Sequence, residues 1–319
     1  MSSNRPTSSA PHFVAPIDDV PLGAVDSLRT DGKPSNLWVD AWRDLRGRPM
    51  FYISAVLILL IIFVALFPWL FTAEPPNDAC FLTNSNGLPS PGHPLGFTLQ
   101  GCDVFSRIVY GASTSLSVGL IVTVLTTVLG VVFGAIAGFY GGWLDSVLSR
   151  AGDIFFAIPY ILAAVVIMSV FSEYRNIFVI SLAIGLFSWP STARILRAQV
   201  LRVKQSDFVM ASTAIGISRF RVLLTHVLPN SIAPVIVVTT ISLAAAITAE
   251  ATLSFLGVGL PTKDFMSWGN DISAAQRSLR DAPQVLIFPS IALSITVLSF
   301  IMLGEVVRDA LDPKARALR

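Results

Sequence analysis

The sequence predicts an all-α, polytopic membrane protein with six transmembrane helices. Of its 319 residues, 53% are hydrophobic and 13% are charged. A soluble domain carries about 25% charged residues, so this chain cannot coat itself for water. Mean hydropathy is +0.70. Apolar runs long enough to cross a hydrocarbon core as helix recur at 51–71, 112–140, 154–171, 177–197, 228–258 and 284–306. The basic residues divide unevenly around those runs. With both ends inside, only Arg107, Arg175, Lys263, Arg277 and Arg280 fall outside, and all other Lys and Arg face the cytoplasm. That asymmetry sets the orientation of a bacterial inner-membrane protein.

Taken in chain order, residues 1–36 are rich in Ser, Pro, Gly and Asp and read as a disordered cytoplasmic tail. Residues 37–49 follow as an amphipathic helix. Leu37, Trp38, Ala41, Trp42 and Leu45 share one face, and Asp40, Arg43, Asp44 and Arg46 share the other. Such a helix lies at the lipid headgroups, with its two Trp at the interface, or packs on a soluble partner. No signal peptide is evident, because the first apolar run starts near Phe51 and is too long for one. After span one, an external loop at 72–111 holds both cysteines, Cys80 and Cys102. An oxidising compartment favours a disulfide between them; the alternative is two free thiols sharing a loop. Pro159, Pro190, Pro234 and Pro289 lie in or beside spans, where neighbouring helices can satisfy the freed carbonyls. The 112–140 and 228–258 runs are long enough to be tilted or broken. An external segment covers 259–283, and residues 307–319 form a second cytoplasmic tail.

The most informative stretch is the loop at 205–227 and the turn after it, QSDFVMASTAIGISRFRVLLTHVLPN. It is polar and basic, yet patterned for helix. Ser206 can cap a short helix through Asp207, Phe208, Ala211 and Ser212. Gly216 ends that helix, since glycine tolerates the left-handed cap. Ser218 can cap a second helix from Arg219 through Phe220 and Arg221 to His226, and Pro229 with Asn230 marks the turn into span five. Phe208, Ile215, Phe220 and Leu223 are apolar anchors. This helix–Gly–helix knob suits a cleft on a soluble protein; otherwise it rests on the headgroups.

Polar groups within the spans are few. Glu250 lies deep in the fifth run near Ser242, Thr248, Thr252 and Ser254. A carboxylate there must line a hydrated path or bond to a neighbouring helix. Ser242, Thr248, Thr252 and Glu250 are therefore the translocation-pathway candidates, with a structural role for Glu250 the competing reading. The external Thr262–Asp281 segment, with Trp268, forms either part of a docking surface or a scaffold helix. His12, His93 and His226 are scattered, so neither a metal site nor a catalytic cluster is expected. There is no GxxxxGK[ST] phosphate loop, so the chain is expected to bind no ATP.

The loop resembles the coupling loop, the EAA motif, of ABC-importer permeases, with Gly216, His226, Leu228, Pro229 and Asn230 matching as they stand. Across about 90–313 the chain resembles the C-type permease of oligopeptide and dipeptide importers. HPLG at 93–96, GCDVFSRIVYGASTSLSVG at 101–119, AGFYGGWLD at 137–145 and SWPSTARILRAQVL at 188–201 carry the likeness. AEATLSFLGVG at 249–259, SWGN at 267–270 and RDALDP at 308–313 extend it in order. Two positions depart from the family pattern. Met210 stands where the motif has an acid, with Ser212 for its second alanine, and Cys102 replaces an arginine.

The resemblance implies an ABC-importer permease fold that pairs with a second, related permease to form a peptide pathway. It implies one or two ABC ATPase subunits holding ATP and Mg, an extracytoplasmic solute-binding protein, surrounding lipid and no nucleic acid. The Asp207–Pro229 residues named above would receive force from the ATPase. Nickel, glutathione or another small solute is the alternative cargo. An ion-coupled secondary carrier using Glu250 is the competing class; the coupling-type loop and the lack of internal repeats argue against it.

Overall fold

In the computed structural model, which describes residues 37–311, the chain is helical from Leu37 onwards, and no β-strand forms among the described residues. The expected tail at 1–36 and the end of the 307–319 tail lie outside these residues. Helix α1 (Leu37–Arg46) leads through Arg48 into α2 (Pro49–Leu66). Helix α3 (Val104–Tyr140), the bent pair α4 (Gly142–Ala157) and α5 (Tyr160–Val170), and α6 (Ile177–Val203) follow. Short helices α7 (Asp207–Ala214), α8 (Arg219–Val222) and α9 (Leu228–Ser231) precede α10 (Ala233–Phe255). The chain closes with α11 (Trp268–Ala275) and α12 (Gln284–Leu311).

Five helices are individually long and apolar enough to cross a membrane: α2, α3, α6, α10 and α12. The expected third span at 154–171 is not one straight helix. Helices α4 and α5 meet at 77°. The cause is Pro159, which lacks an N–H and drives Ile158 into extended backbone (φ −91°, ψ 120°). Helix α5, at about 1.5 Å per residue, is too short to cross the roughly 30 Å core alone. The pair nevertheless links the two ends of the bundle. Near the start of α4, Asp145 pairs with Arg197, close to the C-terminus of α6. Just past α5, Arg175 donates to the carbonyl of Gly257, beyond the far end of α10. Counted as one crossing, the pair brings the total to six.

The second span also differs from expectation. It begins at Val104 rather than near 112, because the Asp103 carboxylate accepts the Ser106 amide at 2.7 Å and caps the helix. The external loop is correspondingly shorter than 72–111, and Arg107 becomes a helical, buried residue. At 37 residues α3 is unbroken, whereas the fifth run is split at Ile232 into α9 and α10. Helix α6 runs six residues past the expected 197, and α12 extends to Leu311.

A glycine seam joins α3 to α6. A Cβ built on Gly130 would lie 2.5 Å from Thr192 Cβ, one on Gly134 2.5 Å from Ala193 O, and one on Gly138 2.9 Å from Val200 Cβ. Where lipid tails are as apolar as side chains, close backbone approach of this kind supplies the packing that holds helices together. Around the seam, Val118 and Val122 of α3, Met168 of α5, Ile180 and Ile184 of α6 and Leu253 of α10 form a buried core. Helix α2 is peripheral: Val56, Leu59 and Leu66 are each at least 60% exposed, a surface suited to lipid.

The two ends of the described chain meet. Arg48 donates to Asp44 and to Asp309, each at 2.8 Å. Burial opposes the Arg48 charge, but Asp309 and Asp44 outweigh it and raise its pKa above the usual arginine value. The entry to α2 and the exit from α12 therefore share one end of the bundle.

Gly134→Leu should lower the unfolding temperature of the detergent-solubilised protein, since overpacking a tight contact costs about 1–3 kcal/mol. Gly152→Ala is the control: its added methyl meets nothing nearer than Trp189 at 3.7 Å and Pro190 at 3.8 Å, and its unfolding temperature should equal or exceed that of wild type, because alanine is the better helix former.

Candidate functional site

The 205–227 segment folds as a helical elbow at the end of the bundle where α3 and α6 terminate. Asp207 opens α7 and is exposed. Backbone geometry places Ser206 and Ser218 at the two N-cap positions, but neither side chain caps. Ser206 instead donates to the carbonyl of Val203 at 2.6 Å. Gly216 adopts φ +87°, the left-handed turn that reverses the chain between α7 and α8. A π-helical turn at Leu223–Val227 carries α8 into α9, where Pro229 is exposed and Asn230 donates to the carbonyl of the half-buried His226 at 2.6 Å.

One side of the elbow is anchored. Val209, Val222, Leu223 and Val227 are buried against Ala135 and Phe139 of α3, Leu196 and Val200 of α6 and Val235 of α10. Leu223, expected as an exposed anchor, belongs to this base because it falls on the same face as Val222 and Val227. Ser212 is buried too, and its hydroxyl donates to the carbonyl of Phe208. Lys204 reinforces the base by donating to the carbonyl of Phe139. The other side is free: Phe208, Met210, Ala211, Ile215, Phe220 and Leu224 are exposed, with Arg219 and Arg221 beside them. Ile215 is 78% exposed at the apex. An apolar ridge flanked by cations, on a packed base, is the geometry of a helix that enters another protein's groove.

The family model described as the binding-protein-dependent transport system inner membrane component matches residues 130–317. The chain belongs to this family. The model of the N-terminal TM domain of oligopeptide transport permease C matches residues 36–85. Glutathione transport system permease proteins GsiD from Escherichia coli, Shigella boydii and Shigella sonnei are each 36% identical over 306 residues. The alignments cover 95% of this chain and 97% of each relative. A solved structure of the MetNI methionine ABC transporter, in inward-facing conformations, matches with a TM-score of 0.53 at 18% identity. That match covers 64% of this chain and 96% of the other and speaks to the fold alone. The chain is thus a permease subunit of an ABC importer in the inner membrane, and ATP hydrolysis belongs to partner subunits.

The pathway candidates divide between two faces of α10. Ser242 helps line a cavity of about 360 Å³ between α3, α6, α10 and the α4–α5 corner. Thr248 and Thr252 lie outside that lining, roughly 80–120° around α10 from Ser242, each donating to the carbonyl four residues back. Glu250 is likewise outside the lining and is fully buried. It also lies near the end of α10 rather than in its middle. Its carboxylate accepts from Ser254 at 2.9 Å, Ser267 at 2.7 Å and Ser115 at 3.3 Å. Ser115 in turn accepts the Trp268 amide, and Ser267 caps α11 through the Asn270 amide. Glu250 therefore ties α3, α10 and α11 together, the arrangement expected of the structural reading of this residue.

The rest of this end is locked in the same way. Arg107 pairs with Asp271 at 2.6 Å, both nearly buried, and donates to Asn77. Burial pushes the Asp271 carboxyl up, and the Arg107 guanidinium partly offsets that. Trp268 is buried, with its indole N–H on the carbonyl of Ile108, so it scaffolds the segment around α11 and is not itself an exposed docking residue. Cys80 and Cys102 are joined by a disulfide.

Sequence reasoning missed the glycine seam and the Arg107–Asp271 pair. The seam was detectable as Gly130, Gly134 and Gly138 at four-residue spacing. The pair had no local signal, because its members are 164 residues apart.

Glu250→Ala would leave three buried hydroxyls without their acceptor, at about 1–3 kcal/mol each. Its unfolding temperature in detergent should fall well below that of Glu250→Gln, which keeps an acceptor oxygen. Equal values for the two variants would remove Glu250 from its role as a tie.

Proposed function

We propose that this permease pairs with a second, related permease to carry short peptides into the cytoplasm, with both described chain ends on the cytoplasmic side. One or two ABC ATPase subunits, holding ATP and Mg, take the elbow in a cleft. A solute-binding protein delivers cargo from outside, and this chain itself binds no nucleotide. The observation that carries this reading is the elbow, whose exposed Phe208, Ile215 and Phe220 stand on a buried base shared with α3, α6 and α10.

The division of labour follows from that geometry. An exposed ridge alone would swivel when pushed. Because Val209, Val222 and Val227 are packed into the bundle, displacement of the elbow moves the ends of α3, α6 and α10 together. Interfaces between packed helices shift as rigid bodies, so ATP-driven motion of the partner biases inward- and outward-open states. Asp207 and the exposed Arg219 and Arg221 contribute polar contacts around the ridge, while Ser212, Gly216 and His226 fix its shape. Met210 stands exposed where the family motif has an acid, so any ion pair made there in relatives is replaced by apolar contact.

The path itself runs past Ser242. The 360 Å³ cavity beside it is lined by Thr126, Tyr160, Ser188, Ser191 and Thr192 among apolar residues, and by no charged group. An uncharged hydroxyl wall binds backbone amides weakly and reads side chains little, which suits peptides of varied sequence. The GsiD relatives favour one cargo in particular, glutathione, itself a tripeptide.

In the assembled transporter, Gly216→Pro should insert normally but abolish ATP-driven peptide uptake, because proline cannot adopt φ +87°. Uptake at the wild-type rate, measured in proteoliposomes with the complete complex, would overturn the elbow's assignment.

A further inference from the structure

At the end of the bundle opposite the elbow, the loop after α2, the α5–α6 turn and the segment around α11 enclose a cavity of about 580 Å³. That volume falls within the roughly 300–1,000 Å³ of small-molecule sites and is concave, unlike a protein-docking face. Its lining is electrically lopsided. Arg107, Arg175, Lys263 and Arg277 contribute to it, and Asp271 is the only carboxylate in the wall. Arg107 is consumed by Asp271. Arg175 donates to the carbonyls of Met168 and Gly257. No carboxylate among the described residues pairs with Arg175, Lys263 or Arg277, leaving three uncompensated cations around one concavity.

The same wall has unmet polar capacity. Asp271 Oδ2 and Ser278 Oγ are buried and have no hydrogen-bond partner, an arrangement that native interiors rarely leave empty. Beside them stand the amides of Asn77 and Gln100. A ligand that complements this wall carries carboxylate for the cations and polar groups for the Asn77 and Gln100 amides. We infer that the cleft is an entry site for a small anionic peptide with free carboxylates, held by Arg175, Lys263 and Arg277 before it reaches the uncharged membrane path. This inference rests on the peptide-importer reading and narrows it. Selection for charge occurs at the mouth, where guanidinium and ammonium groups meet water, and the hydroxyl-lined interior adds none. The Cys80–Cys102 disulfide borders the cleft and holds the loop that forms its outer rim.

The test uses the complete transporter in nanodiscs, with equilibrium dialysis of glutathione, trialanine and trialanine amide at low and high salt. Glutathione and trialanine should bind, more weakly in high salt. The amide should bind about tenfold more weakly than the acid, the scale of losing a hydrogen bond to a charged group. The double variant Lys263→Gln/Arg277→Gln, at two exposed positions, should lose about the same factor for the acids and nothing for the amide. Equal affinity for acid and amide, or a double variant that binds like wild type, would overturn the site. So would a variant that keeps glutathione affinity yet captures the cargo-free binding protein less well, since that would make the cleft a docking surface. Failure here while ATP-driven peptide uptake persists discards the cleft and leaves the importer reading intact. Failure of ATP-driven uptake with binding intact does the reverse.

Discussion

The close approach of α3 and α6 is the constraint on which the rest of the bundle depends. Three glycines, Gly130, Gly134 and Gly138, let the α3 backbone lie directly on Thr192, Ala193 and Val200. In a bilayer no hydrophobic effect pulls helices together, so contact at backbone distance must supply the cohesion. Once that seam is set, its two ends become platforms. At one, Phe139 and Val200 receive the elbow. At the other, Ser115 of α3 receives Glu250 and the amide of Trp268. A single stiff pair of helices thus spaces the elbow from the cleft around α11.

Helix α10 joins both platforms. Its first turn contributes Val235 to the base of the elbow, and its last turns contribute Glu250 and Ser254 to the serine-lined tie. Between them Ser242 faces the cavity of about 360 Å³. One rigid element therefore links the base of the elbow, the wall of that cavity and the segment around α11. The bent α4–α5 pair is the exception to this stiffness. Its 77° corner at Pro159 borders the same cavity as Ser242.

Much of this was legible in the sequence. Apolar runs announced the spans, and Gly216 announced the chain reversal, because both depend on local composition or on one residue's steric freedom. The likeness of 90–313 to peptide permeases gave the family, which the family model over 130–317 shows. What failed was long-range. Whether Glu250 faces water or a neighbouring helix depends on Ser115 and Ser267, residues brought to it only by the fold. Arg107 read as an external loop cation, since the apolar run begins only near 112 and the local cap signal of Asp103 lies ahead of it. Pro159 was visible, but a proline inside a span can bend a helix slightly or break it, and only packing against α6 and α10 decides the angle.

The clasp between Arg48 and Asp309 carries a consequence for how the protein is made. Its two halves are separated by 261 positions, nearly the whole length of the polypeptide. The amphipathic first helix and the first span emerge from the ribosome long before their partner exists. During that interval α2, which contributes few buried residues of its own, waits at the edge of an unfinished bundle. Biogenesis is therefore completed from the tail. The last described helix supplies the acid that clasps the entry to α2, so a chain interrupted before Asp309 lacks that clasp and holds α2 by its apolar contacts alone.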